Sequence, residues 1–144
     1  MNFLLACFAA ALMLGYGYYC WQILRARPQN FEKQLMMMLA EWMVARGPAS
    51  RSALWMLYIV SLFLVAIYFV LVFSVLSNPA ILYLSAALVG VEVYHLITTF
   101  SHFRRFFGGR TTIVELLNWK LERFCALLYF AHALLVLCCM AFSL

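Results

Sequence analysis

Apolar and polar positions fall into long blocks along this chain rather than alternating over short periods. Four apolar runs, Phe3–Leu24, Ala53–Leu76, Ala80–Phe103 and Phe124–Leu144, are separated by short polar segments. Three of them contain no Asp, Glu, Lys or Arg, and the third run contains Glu92 alone. A helix needs roughly 20 predominantly apolar residues to cross a bilayer. The pattern therefore predicts an all-α membrane protein: four antiparallel transmembrane helices over 3–24, 53–76, 80–103 and 124–144, forming a single bundle that takes up residues 1–144.

The polar segments carry their own punctuation. Pro28 breaks the chain, Asn30 offers an N-cap, and Phe31, Leu35, Met38, Trp42 and Ala45 recur at helical spacing. Too short to span, this stretch reads as an interfacial amphipathic helix over 31–46, closed by Gly47-Pro48. Ser77-Asn78-Pro79 predicts a tight hairpin link, with Asn78 capping and Pro79 at the first helical position. Gly108-Gly109 is the stop for the third span. Thr112 and Glu115 form a capping-box pattern. No breaker follows it, so one helix of about 31 residues, ~46 Å at ~1.5 Å per residue, is expected to run to the chain end. Ala9–Ala11, Gly15 and Gly17 predict a close helix approach in the first span. Tyr16, Tyr18, Tyr19 and Trp21 predict an aromatic belt at the interface.

Composition narrows the class. With 68% hydrophobic and 10% charged residues, the chain cannot cover the surface of a soluble domain. All ten Lys and Arg lie within 25–51 and 104–123. The positive-inside rule puts these basic loops in the cytoplasm, with both termini and the Ser77–Pro79 turn outside. That accounts for the net charge of +5 without invoking nucleic acid. Anionic lipid headgroups are the expected partners, with Arg25, Arg27, Trp42, Arg104, Arg105 and Arg110 as lipid- or partner-docking residues. So small a bundle is expected to work as a homo-oligomer or beside other membrane subunits. Cys7, Cys20, Cys125, Cys138 and Cys139 include no CxxC and read as packing residues, with a disulfide open among Cys7, Cys138 and Cys139.

The candidate chemistry lies on two stripes. Ser85, Glu92, His95, Thr99 and His102 share one helix face in the third span, and Asn118, Glu122, Cys125, Tyr129 and His132 share one in the fourth. Counted inward from Phe103 and Phe124, His95 and His132 come at equal depth, with Glu92 one turn deeper. The expectation is one polar layer of Glu92, His95 and His132, flanked by Thr99 and Tyr129. Such a layer serves in one of three ways: as interhelical hydrogen bonds, as a proton or cation path, or as a ligand set. The ligand set would be a single transition metal on Glu92, His95 and His132, or a haem b between His95 and His132. The primary expectation holds no resident cofactor, and metal or haem is the alternative. The chain has no Asp, no Ser/His/Asp set and no phosphate-binding glycine loop, so nothing in it points to an enzyme. The expected function is a subunit of a channel, transporter or membrane assembly, the alternative being a membrane electron-transfer subunit.

Overall fold

The computed structural model describes residues 1–25 and 27–142. Their helices are α1 (Asn2–Leu24), α2 (Pro28–Arg46), α3 (Ala49–Val75), α4 (Pro79–Phe107) and α5 (Trp119–Phe142), with one 3-10 turn at Ile113–Glu115. The chain is helical, without strands among the described residues, and α1, α3, α4 and α5 are long and apolar enough to cross a membrane. Residues 143 and 144, the end of the expected fourth span, lie outside the described residues.

Several terminators act as their chemistry dictates. Asn78 Oδ1 accepts from the backbone N–H of Ala80 at 3.0 Å and of Ile81 at 3.5 Å, with Pro79 at the first helical position. This satisfies N–H groups that have no partner inside the helix. Gly47 ends α2 at φ 57°, a left-handed backbone that a side chain would strain. Gly108 ends α4, and Gly109 follows at φ 69°.

Three expectations are corrected. The second helix starts at Pro28, not Phe31, because proline is preorganised for a first turn and its missing N–H costs nothing there. Asn30 is inside that turn and is not a cap. The buried face of α2 is Pro28, Glu32 and Met36, whereas Met38 and Ala45 from the expected apolar stripe are exposed. The long helix expected from Thr112 is interrupted. The capping box forms, with Thr112 N–H donating to Glu115 Oε2 at 3.2 Å, but it caps only the 3-10 turn. The chain then restarts at Asn118, whose Oδ1 accepts from Leu121 N–H at 3.4 Å. The break lets Leu116 fold back, 1% exposed, against Leu54 and Phe103. Burying a leucine is worth about 1.5–3 kcal/mol, which offsets the hydrogen bonds of one helical turn.

The main core runs along α1 and α5. Ala9, Ala126 and Ala133 are fully buried, and Cys20 Sγ donates to the Ala126 carbonyl at 3.5 Å. Small residues let backbones come this close, which is what holds helices together where hydrophobic burial cannot. Ala9 thus takes the packing role expected of it, while Gly15 has open space where a Cβ would be. The expected aromatic belt divides. Tyr18 and Trp21 are exposed, but Tyr16 stacks on Tyr129 with ring centroids 5.7 Å apart, and Tyr19 is buried. All five cysteines are free.

Candidate functional site

Contacts between α4 and α5 keep step along the two helices: His95 meets Glu122, Glu92 meets Cys125, and Ser85 meets His132. This pairing splits the expected single polar layer in two. His132 is paired about ten residues away from the level assumed from the apolar boundaries, or ~15 Å at ~1.5 Å per residue. The discrepancy has a clear origin. The apolar limit at Phe124 leaves Glu122 and Arg123 outside the fourth run, yet both side chains are turned into contacts with other helices.

The first layer is His132 with Tyr68 from α3 and Ser85 from α4. His132 Nδ1 lies 2.8 Å from Tyr68 Oη, and Nε2 lies 2.8 Å from Ser85 Oγ. Ser85 spends its one proton on the Ile81 carbonyl at 2.7 Å, so its oxygen accepts from His132 Nε2–H. That leaves Nδ1 of the neutral ring to accept from the tyrosine hydroxyl. Both ring nitrogens are engaged and the three residues are almost fully buried. His132 therefore has no free lone pair for a metal. Neither the haem expected between His95 and His132 nor the Glu92, His95 and His132 metal site fits this geometry. His132 instead ties α3, α4 and α5 together.

The second layer is Glu92, His95, Glu122 and Cys125. His95 Nε2 is 2.9 Å from Glu122 Oε1, and His95 Nδ1 is 3.5 Å from Glu92 Oε2. Glu92 Oε2, His95 Nδ1 and the Tyr129 hydroxyl are buried without a hydrogen-bond partner among the described residues. One donor atom from each of Glu92, His95 and Cys125 lie within 4.8 Å of one another. Two ionised carboxylates around one imidazolium sum to one net negative charge. Thr99 lies one turn on, half-buried and outside these hydrogen bonds.

A third cluster escaped the sequence pattern. Arg123 Nε and Nη2 donate to Glu32 Oε1 and Oε2 at 2.6 and 2.7 Å, and the Tyr19 hydroxyl donates to Glu32 Oε1 at 2.7 Å. This bidentate pair joins α1, α2 and α5. Burial pushes the Glu32 carboxyl up, but the Arg123 and Tyr19 hydrogen bonds and the guanidinium charge outweigh it and hold the group below its ordinary range. The spacing of Pro28, Glu32 and Met36, each four residues on, was the available signal, but Phe31 and Trp42 made the neighbouring stripe look stronger.

The residues expected to dock lipid or partners separate into three places. Arg104, Arg105 and Arg110 join Arg51, with Trp55, around a cavity of about 650 Å³. Arg25 and Arg27 line another recess, with the Arg25 guanidinium 4.4 Å above the Trp21 ring. Trp42 borders an apolar groove with Leu39, Leu54 and Leu117, and Arg46 lies 5.1 Å over its ring. No protein-family model, curated protein or solved structure matches this chain.

Proposed function

We propose that this is an integral membrane protein of four antiparallel spans whose Glu92–His95–Glu122 cluster carries protons or small cations. The basic loops face the cytoplasm, both termini face outside and α2 lies along the cytoplasmic interface. The protein acts without catalysis, as a homo-oligomer or a subunit of a channel, transporter or membrane assembly. One observation carries the transport reading: a histidine with each ring nitrogen turned to a different carboxylate, on helices apolar enough to span. Ionisable groups at membrane depth are costly, and they mark proton relays and ion pathways. An imidazole can take a proton at one ring nitrogen and release one from the other, which suits it to relay a proton between two carboxylates.

The full chain in liposomes carrying a pH-sensitive dye tests this. The expected result is Glu92-dependent dissipation of an imposed pH gradient, cut about tenfold or more in Glu92→Gln and in Glu122→Gln. Ser85→Ala, which alters only the His132 layer, should leave the rate unchanged. A wild-type rate equal to that of empty liposomes would sink the reading.

Arg51, Arg104, Arg105 and Arg110 support a second part of the proposal, a site for an anionic lipid headgroup at the cytoplasmic interface. Each basic residue near such a surface contributes ~1 kcal/mol. Retention of phosphatidylglycerol in native mass spectrometry should fall about tenfold in the Arg104→Ala, Arg105→Ala double variant. Equal retention of phosphatidylglycerol and phosphatidylcholine by the wild type would remove the headgroup site.

A further inference from the structure

Glu92 Oε2 and His95 Nδ1 face each other at 3.5 Å, and neither has a hydrogen bond among the described residues. On the opposite side of the ring, His95 Nε2 lies 2.9 Å from Glu122 Oε1. A neutral imidazole donating to Glu122 from Nε2 keeps its lone pair on Nδ1. That lone pair faces a carboxylate oxygen, and a proton or a metal ion is what can sit between them. Cys125 Sγ completes the group: one ligand atom from each of Glu92, His95 and Cys125 lies within 4.8 Å of the others. Glu92 is 6% exposed and Cys125 3%.

We infer that Glu92 Oε2, His95 Nδ1 and Cys125 Sγ bind one divalent transition-metal ion of the zinc or cobalt class, with Glu122 orienting His95. This rests on the reading of the cluster as a cation site and names its cation. Zinc bonds nitrogen and oxygen at about 2.0–2.2 Å and sulfur at about 2.3 Å, so neighbouring ligand atoms of a tetrahedral site are roughly 3.3–3.7 Å apart. The nitrogen–oxygen separation of 3.5 Å is already in that range. From a separation of at most 4.8 Å, the sulfur reaches that range by closing no more than roughly 1.1–1.5 Å, a side-chain rotamer adjustment. A thiolate, an imidazole and a carboxylate suit such an ion and not calcium or magnesium, which take oxygen ligands.

The arriving ion displaces the Cys125 thiol proton to water. The thiolate and ionised Glu92 match the two positive charges within the ligand set, while Glu122 stays outside it. Glu122 accepts the outer N–H of His95, the arrangement that fixes the tautomer and strengthens the nitrogen as a ligand. Three protein ligands leave a fourth position open for water or for an ion's entry and exit. The sequence stripe pointed to His132 as the third ligand. The fold supplies Cys125, because the two helices pair in a different register.

The test is a Co²⁺ titration of the full chain in chelator-free mild detergent. The expected result is about one equivalent bound per chain, with a thiolate-to-cobalt charge-transfer band. The band should vanish in Cys125→Ser and persist in Cys138→Ser. Glu122→Gln should keep the band while weakening affinity by about 10–100-fold. X-ray absorption of the wild-type cobalt complex, which needs no variant to fold, should show one sulfur with nitrogen and oxygen scatterers. Absence of stoichiometric binding, a band that survives Cys125→Ser, or a sulfur-free shell would overturn the inference. Glu92-dependent proton flux in metal-free buffer without cobalt binding would reject the metal and leave the proton path standing. Cobalt binding without flux would do the reverse.

Discussion

Arg123→Met is expected to destabilise the protein by about 3–5 kcal/mol, the largest loss from any single substitution considered, because it strands a buried carboxylate. Glu32 has a side chain only 6% exposed and takes both of its guanidinium hydrogen bonds from Arg123. Removing the cation leaves the carboxylate with the Tyr19 hydroxyl alone. The Glu32→Gln, Arg123→Met double variant should recover most of the loss, since the amide that replaces the carboxylate carries no charge and can still accept from Tyr19. Thermal unfolding in detergent of the wild type and the three variants makes this a complete cycle. Equal midpoints for the wild type and Arg123→Met would show that the pair contributes nothing.

The same pair sets a pH dependence. The folded Glu32 carboxyl ionises below its ordinary value of 4.5, so its contribution is fully present above about pH 4.5 and is lost as pH falls through the lower, folded value. The wild-type midpoint should drop in that acid window relative to Glu32→Gln, and the two curves should run parallel above it.

Ala126→Leu should cost about 1–3 kcal/mol through overpacking. Ala126 is fully buried beside Tyr19 and Cys20, and its carbonyl receives the Cys20 thiol. Three added carbons have nowhere to go without pushing α1 off α5. That displacement would also draw Tyr19 away from Glu32, so the loss should exceed the steric term alone. Ala131→Leu, at an exposed position on the same helix, should change stability by no more than about 0.5 kcal/mol. A midpoint for Ala126→Leu matching that of Ala131→Leu would mean that the α1–α5 contact is looser than the structure has it.

How much of the site was legible depends on which kind of information each residue carries. Glu92 and His95 stood out because an ionisable stripe in an apolar run is visible at helical spacing. Ser85 belonged to the same stripe and emerged with a defined partner. Tyr68 did not stand out, since a tyrosine in an apolar run looks like packing until its hydroxyl meets His132. Glu32 and Arg123 lie 91 residues apart, and nothing local to either announces the other. His132 stands on the polar stripe of its helix, and the apolar boundaries put it level with His95, whereas the fold pairs it with Tyr68 and Ser85.

By itself, the sequence determined the four long apolar helices, their caps at Asn78, Gly47 and Gly108, and the faces on which the polar residues stand. These follow from short-range chemistry: run length, a 3.6-residue period, and the backbone preferences of Asn, Pro and Gly. Only the tertiary structure decided the register of α4 against α5, the rotation of α2 that buries Glu32, and the break at residues 116–118. Each was settled by groups far apart in the chain competing for burial and for hydrogen-bond partners. An apolar helix is nearly as well satisfied one turn higher or lower, so its boundaries cannot fix its level. Pairing His95 with Glu122, Ser85 with His132 and Arg123 with Glu32 can, because a buried polar group left without a partner costs more than a shift in apolar packing.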